Sequence, residues 1–180
     1  MKAYSIADAS ILDFSSLSET LSHISTKADM IVYRDKGNPH YRESARIFVQ
    51  TASRYHFEKI LVHSDIQSLS IPGVDGIHLT SAQIDEIGIA RKHTDFVIVS
   101  THSIEEAKRA EEAGADMVTF SPVFQSPGKG KPQGLEALSD IVESVDIPVI
   151  ALGGIVSHRE IELCEKAGAD LFASIRYFVE

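Results

Sequence analysis

The chain has 180 residues, which is a length typical of one domain with a sizeable core. Its composition, 43% hydrophobic and 24% charged, is that of an ordinary globular protein, and its formal net charge of −9 disfavours a nucleic-acid partner. No apolar run approaches the length of a membrane span and the N-terminus has no signal-peptide core, so we expect a cytoplasmic protein that does not contact membranes.

Short apolar segments alternate with helical patterns along the chain. The predicted strands are Tyr4–Ala7, Met30–Tyr33, Lys59–Val62, Gly76–Leu79, Phe96–Val99, Met117–Phe120, Val149–Leu152 and Leu171–Ser174. The predicted helices are Leu17–Ser25, Asn38 to Arg54, Ile66–Ile71, Ala82–Arg91, Ile104–Ala113, Leu135–Val142 and Ser157 to Ala167. Capping boxes are predicted at Ser16 with Glu19 and at Ser103 with Glu106. The single cysteine, Cys164, has apolar neighbours in a helical pattern and is interpreted as buried.

A weak internal repeat supports this alternation. The triplets Gly73-Val74-Asp75, Gly114-Ala115-Asp116 and Gly168-Ala169-Asp170 each lie between a helical pattern and a strand. Glycine suits the left-handed conformation that ends a helix. We interpret the aspartate as the residue that marks the turn into the buried strand.

Apolar strands that alternate with helices favour a parallel sheet. Eight such units favour a closed (β/α)₈ barrel, a TIM barrel, in one domain over residues 1–180. The chain is short for a fold that typically needs about 250 residues, so we expect the last helix to be short or missing. We therefore expect strand eight to be partly uncovered, and a homodimer or other self-association to cover it.

The active site of a parallel barrel lies at the carboxyl ends of its strands. In this chain those positions are cationic and rich in hydrogen-bond donors: Arg34, Lys36, His63, Ser100, His102, Ser121, Ser126, Lys129, Gly153, Gly154, Ser174 and Arg176. The backbone N–H groups of Gly153 and Gly154, with the helix after them, predict a phosphate site. Arg176 could instead pair with Glu180, and Arg34 and Lys36 could pair with Asp35 or Asp65. His78 and His102 are interpreted as structural or local hydrogen-bonding residues.

The loop after strand six cannot be regular structure, because three prolines and three glycines fall between Pro122 and Gly134. Its lysines, Lys129 and Lys131, lie where α/β proteins place anion-binding groups. A mobile surface loop with solvated lysines is the other interpretation of this segment.

Several motifs in order along the chain resemble the thiamine-phosphate synthase and thiazole tautomerase superfamily. They are Tyr33–Gly37, Gly76–Leu79, His102–Ala107, Ser121–Phe124, Ile147–Ile155 and Ala167–Asp170. The resemblance implies a (β/α)₈ barrel that handles a phosphorylated thiazole. The synthase joins thiazole phosphate to hydroxymethylpyrimidine diphosphate and releases diphosphate, with Mg²⁺ on the diphosphate, whereas the tautomerase moves a proton with one histidine.

The resemblance assigns diphosphate binding to Arg34, Lys36 and Lys129, and phosphate binding to Gly153 and Gly154. Ser100 matches a serine that ends strand five. The departures are Val32 in place of a glutamine, His63-Ser64 in place of an Asn-Asp pair, a residue near Gln83 in place of the second Mg²⁺ aspartate, Pro122 in place of the tautomerase histidine, and Arg176 in place of a serine. Mg²⁺ stays an open alternative as cofactor, but its usual carboxylate ligands are absent. Since Mg²⁺ prefers anionic oxygens, we predict no metal-ligating residue and weak Mg²⁺ dependence.

Three functions stay open at this point. The first is a synthase-like transferase of thiamine biosynthesis, with Lys129 and His63 as catalytic residues and phosphorylated thiazole and pyrimidine compounds as ligands. Its predicted substrate-binding residues are Arg34, Lys36, Ser100, Ser126, Gly153, Gly154 and Arg176. The second is a tautomerase-like enzyme whose acid–base group has moved, with His63 as the candidate. The third is a non-catalytic barrel that binds a phosphorylated ligand.

Overall fold

A computed structural model describes residues 1–179, in which eight parallel strands close into a barrel in sequence order, with β8 paired to β1. The strands are β1 (Lys2–Ala7), β2 (Met30–Tyr33), β3 (Lys59–His63), β4 (Gly76–Leu79), β5 (Val97–Thr101), β6 (Met117–Phe120), β7 (Val149–Leu152) and β8 (Leu171–Ser174). The predicted TIM barrel is therefore confirmed.

The described part of the chain forms six α-helices: α1 (Leu17–Ser25), α2 (Tyr41–Ala52), α3 (Ile87–Ala90), α4 (Ile104–Glu112), α5 (Gly134–Ser144) and α6 (His158–Lys166). Three 3₁₀ helices, Ile66–Ser70, Ser81–Glu86 and Arg176–Phe178, take positions where a longer barrel has α-helices. None of the helices within residues 1–179 is both long and apolar enough to cross a membrane.

Two packed layers hold the barrel together. One side of each strand faces the helices, and the other side fills the barrel interior with residues such as Tyr4, Met30, Leu61, Ile98 and Ile150. This alternation follows from the two-residue period of a strand. Tyr4 is fully buried in the interior, one layer below the carboxyl ends of the strands.

Three local predictions are wrong, and side-chain contacts explain two of them, the start of the second helix and the break in the fourth. Helix α2 begins at Tyr41 rather than at Asn38, because the Asn38 side-chain amide is used in the preceding turn, where it donates to the Tyr33 hydroxyl and to Ser44 Oγ. Ser16 makes no capping hydrogen bond with its side chain.

The predicted fourth helix is split into a 3₁₀ segment and α3. Gln83 has non-helical dihedral angles at this point (φ −106°, ψ 15°). Its side chain is held by residues outside the helix, including Ser64, and this attachment explains the break.

The repeated aspartates have a single structural role. Asp75, Asp116 and Asp170 each precede an even-numbered strand and accept a hydrogen bond from a backbone N–H of the strand before it, at 2.7, 2.7 and 2.9 Å. Asp29 does the same for Ala3 at 2.7 Å, and the sequence analysis missed this fourth copy. We call these four carboxylate–backbone contacts the strand-pair latches.

The end of the chain corrects the prediction that strand eight is partly uncovered. The 3₁₀ helix after β8 packs Tyr177 and Phe178 on Phe172, with ring centroids 5.3 and 5.9 Å apart. Phe172 is consequently only 3% exposed and Phe178 is fully buried. The helical element after β8 is therefore short, as predicted, but its single turn seals the strand.

Candidate functional site

The carboxyl ends of the strands surround a cavity of about 440 Å³. All the predicted catalytic and substrate-binding residues line it: Arg34, Lys36, His63, Ser100, Ser126, Lys129, Gly153, Gly154 and Arg176. His78, Thr80, His102, Ser121 and Ser174 also contribute to the wall. Parallel strands bring these residues together because all of their carboxyl ends lie at one face of the barrel.

The cavity concentrates positive charge in an acidic protein. Within residues 1–179, Arg34, Lys36, Lys129 and Arg176 form no salt bridge. Burial lowers the pKa of Lys36, and the neighbouring positive charges of Arg34 and Lys129 lower it further. Cations held close together without carboxylates favour an anionic ligand, which would relieve their mutual repulsion.

The alternative ion pairs considered for Arg34 and Lys36 are not observed. Asp65 instead accepts two hydrogen bonds from the guanidinium of Arg42, at 2.6 and 3.0 Å. That ion pair lies in a second, more open groove of about 670 Å³, which adjoins the cavity and shares Lys36, His63 and Thr80 with it. The predicted partner of Arg176, Glu180, lies outside the described residues.

Gly153 and Gly154 form a backbone surface that no other residue could form. Both have positive φ angles, 103° and 70°, and a Cβ on Gly153 would lie 2.7 Å from Pro122 Cα. The loop after β6 packs directly against them, since the Phe124 N–H donates to the Gly153 carbonyl at 2.9 Å. Ser174 Oγ donates to the Ile155 carbonyl at 2.7 Å and so ties the next residues to the end of β8.

The helix after Gly153 and Gly154 contributes less to this surface than the sequence predicts. Helix α6 begins only at His158, and its first turn already contains a carboxylate, because Glu160 accepts hydrogen bonds from the N–H and hydroxyl groups of Ser157. At this end of the cavity, the groups that could meet an anion are therefore the two glycines and Arg176.

His63 lies in the wall with no hydrogen bond from its ring to another described residue, although it is only 4% exposed. Burial lowers its pKa to about 2, and the nearby His78, Arg34 and Lys36 act in the same direction. The ring is therefore neutral near pH 7. It is suited to a hydrogen bond with a ligand and poorly suited to act as a general base.

A chain of hydrogen bonds crosses the barrel beneath the cavity. The Tyr4 hydroxyl lies 3.0 Å from His78 Nδ1, and His78 Nε2 lies 3.0 Å from Ser100 Oγ. Burial raises the pKa of Tyr4 well above its ordinary value and lowers the pKa of His78 to about 3. The sequence analysis missed Tyr4, which appears in the sequence only as part of an apolar strand.

The positions implied for Mg²⁺ carboxylates are joined by a neutral contact. Ser64 Oγ donates to Gln83 Oε1 at 2.8 Å, and Gln83 Nε2 donates back to the Ser64 carbonyl at 2.9 Å. The structure contains no cluster of three or more His, Cys, Asp or Glu side chains suited to a metal within residues 1–179. Hydroxyl and amide groups engaged with each other do not fit the oxygen-rich anionic site that Mg²⁺ prefers.

The loop after β6 is anchored at its base by side chains from two elements. His102 Nδ1 and Gln133 Nε2 both donate to the Ser121 carbonyl at 2.9 Å. This contact confirms the local hydrogen-bonding role predicted for His102. It also places a proton on Nδ1, since a carbonyl can only accept.

The family model for thiamine monophosphate synthase matches residues 3–178. The thiamine-phosphate synthase of Chlorobium phaeobacteroides is 37% identical over 133 residues, which make up 71% of this chain and 64% of that protein. The thiamine-phosphate synthase of Halalkalibacterium halodurans is 31% identical over 160 residues, 84% of this chain and 74% of that protein.

A solved structure gives the same result. The thiamine phosphate pyrophosphorylase from Pyrococcus furiosus superposes with a TM-score of 0.78 at 30% identity, covering 97% of this chain and 85% of that one. The chain spans 58% of the length of a relative from Aquifex aeolicus and 64% of the Chlorobium relative. With the barrel, the cationic cavity and a family match over almost its whole length, the chain belongs to the thiamine monophosphate synthase family.

Proposed function

We propose that this protein is a transferase of thiamine biosynthesis, which joins thiazole phosphate to hydroxymethylpyrimidine diphosphate and releases diphosphate. The observation that carries the proposal is a set of four cations around one cavity, Arg34, Lys36, Lys129 and Arg176, which form no salt bridge with any other residue of the described range 1–179. Relatives with this name, such as the Chlorobium protein, support the choice of ligands.

The geometry favours a division of the cavity between two anionic groups. Arg34 and Lys36 follow β2, and Lys129 lies in the loop after β6; we assign these three to diphosphate. Gly153, Gly154 and Arg176 follow β7 and β8, which is the usual phosphate site of this barrel, and we assign them to thiazole phosphate.

The reaction requires one bond to form as another breaks. The thiazole nitrogen forms a C–N bond to the pyrimidine methylene carbon, and the C–O bond to diphosphate breaks, with its electron pair leaving on the diphosphate oxygen. Cations near that oxygen stabilise the charge that develops there. This is the role we propose for Lys129, with Arg34 and Lys36 holding the other oxygens, while neutral His63 donates or accepts one hydrogen bond.

The test is incubation with both thiamine precursors, with and without Mg²⁺, followed by mass analysis of the product. We expect thiamine phosphate to form, and to keep forming, within a few-fold, when EDTA is present, since Ser64 and Gln83 are neutral and bonded to each other. If no product forms under either condition, the transferase proposal is wrong. If product forms only with Mg²⁺, the proposal holds and the weak metal dependence is wrong.

A tautomerase-like function is the second candidate, and one observation favours it. His102 lies in the cavity wall beside Ser121, next to Pro122, where the resemblance places the tautomerase histidine, and its Nδ1 donates to the Ser121 carbonyl. The other ring nitrogen, Nε2, could take a proton from a thiazole carboxylate phosphate when the ring is neutral. Incubation with that single compound distinguishes the two functions, because isomerisation needs no pyrimidine substrate.

A further inference from the structure

The hydrogen-bond chain from Tyr4 to Ser100 has a direction that the structure determines. Tyr4 is 0% exposed, and its hydroxyl has no hydrogen-bond partner within residues 1–179 other than His78 Nδ1. His78 is also buried, and its low pKa leaves the ring neutral, with one N–H. The single proton can therefore lie on Nδ1 or on Nε2, and the neighbours decide which.

The two arrangements differ in what they leave unpaired. If the Tyr4 hydroxyl donates to Nδ1, the His78 proton lies on Nε2 and is donated to Ser100 Oγ, so every buried group is paired. If Nδ1 carries the proton and donates to Tyr4, the Tyr4 hydroxyl proton is buried without an acceptor. An unsatisfied buried donor makes the second arrangement roughly 5- to 150-fold less populated.

We propose that Tyr4 is a positioning residue, which fixes the tautomer of His78 and thereby makes Ser100 present its hydroxyl proton to the ligand. With His78 Nε2–H donating to Ser100 Oγ, the serine proton is free to point into the cavity that Ser100 lines. Ser100 then joins Arg34, Lys36, Lys129 and Arg176 as a donor. The ligand atom opposite Ser100 is consequently an acceptor, such as a ring nitrogen or a phosphate oxygen.

The proposal deepens the proposed function and rests on it only for the choice of ligands. A first experiment needs no ligand. In the wild-type protein, ¹⁵N NMR should show His78 Nε2 protonated and Nδ1 as an acceptor. Tyr4→Phe keeps the ring but removes the donor, so that either tautomer leaves one nitrogen unpaired, and we expect a mixture of the two.

Tyr55→Phe is the matched control, because its hydroxyl contacts Ser18 on the surface and not the cavity. The His78 signals should be unchanged in this variant. A wild-type protein with the His78 proton on Nδ1, or a Tyr4→Phe variant with unchanged His78 signals in a folded protein, would overturn the proposal.

A second experiment separates positioning from packing. Affinities for hydroxymethylpyrimidine diphosphate and thiazole phosphate are measured for Tyr4→Phe, Ser100→Ala and the double variant. We expect Tyr4→Phe to weaken one ligand roughly two- to tenfold, since only part of the population keeps the competent tautomer. Adding Tyr4→Phe to Ser100→Ala should cause no further loss, because Tyr4 acts through Ser100.

Additive losses would mean that Tyr4 acts through packing and would overturn the positioning role. If wild-type protein binds neither ligand, the proposed function fails. The tautomer measurement then still decides whether Tyr4 controls His78.

Discussion

At the scale of single residues, Arg176 is the cation that lies at the β8 end of the cavity. Its side chain lines the cavity beside Gly153 and Gly154. A charge-assisted hydrogen bond contributes about 1.5–3 kcal/mol, so Arg176→Ala should weaken binding of thiazole phosphate roughly 10- to 100-fold. Calorimetry measures the change.

Arg54→Ala provides the control for this experiment. Arg54 is exposed just after α2 and does not line the cavity. Its removal should leave the affinity unchanged. Equal affinities for wild type and Arg176→Ala would exclude Arg176 from the phosphate site.

Buried histidines make the stability of the protein depend on pH. The pKa of His63 is about 2 in the folded protein, below its ordinary value of 6.5. The unfolded chain therefore binds a proton that the native state does not, and stability falls as the pH drops below about 6.5, by roughly 1.4 kcal/mol per pH unit for this one group.

The variant His63→Asn removes this titration. Urea unfolding at pH 7, 6 and 5 should give a pH slope that is shallower than in the wild-type protein, by about 1 kcal/mol per unit on average, since the ordinary pKa lies within this range. Identical slopes would show that the pKa of His63 is the same in the folded and the unfolded protein.

The positions of residues at strand ends predicted which side chains meet in one cavity, but not the contacts among them; their roles in binding and catalysis stay predictions. All nine predicted site residues line one cavity because strand ends in a parallel barrel converge. The Tyr4–His78–Ser100 chain could not be predicted, since it joins residues 74 and 22 positions apart through the barrel interior. Nor does any sequence pattern show that Ser64 and Gln83 bond to each other.

At the scale of elements, the 3₁₀ turn after β8 covers the outer side of that strand, as an outer helix does elsewhere in the barrel. Phe178 is fully buried against Phe172, whereas Val179 is 38% exposed. Phe178→Ala should lower the free energy of unfolding by about 3–5 kcal/mol, the usual cost of truncating a buried phenylalanine. Chemical denaturation measures the loss.

Val179→Ala, at the next residue, should cost far less because that side chain is largely in solvent. Similar losses in the two variants would mean that the turn does not seal the strand.

Elements whose patterns are uninterrupted were predicted almost to the residue. Helix α1 and strands β2, β4, β6, β7 and β8 have the predicted bounds. Two of the errors fall where a side chain binds elsewhere: Asn38 holds the turn before α2, and Gln83 breaks the fourth helix by reaching Ser64. Intrinsic helix propensity does not predict such contacts, because they depend on the tertiary fold. The fifth strand also differs, since it was predicted at Phe96–Val99 and spans Val97–Thr101.

At the scale of the whole molecule, the strand-pair latches recur four times around one end of the barrel. Asp75 accepts from the backbone N–H of Ile60, which is 5% exposed. Asp75→Ala leaves that donor unpaired, so we expect a loss of about 1–3 kcal/mol in the free energy of unfolding.

Asp95→Ala is the matched control. Asp95 also precedes a strand and is exposed, but its carboxylate has no hydrogen-bond partner in residues 1–179. A loss as large as that of Asp75→Ala would show that the latch contributes nothing specific.

Self-association is also a property of the whole molecule. The homodimer stays a prediction, although the sealed surface of Phe172 removes the reason first given for it. Light scattering at micromolar concentration should give twice the mass of one chain. A strictly monomeric mass would contradict the prediction.

The latches have a consequence for how the barrel folds. Each one joins consecutive strands, β1 to β2, β3 to β4, β5 to β6 or β7 to β8, across at most 26 residues. The pairing of Lys2 with Leu171, by contrast, joins the first strand of the barrel to the last, which are far apart in the sequence. Because local contacts form faster than distant ones, we expect latched strand pairs to assemble early and the β8–β1 seam to close last. Substitutions in a latch should therefore slow refolding, while those at the seam should mainly speed unfolding.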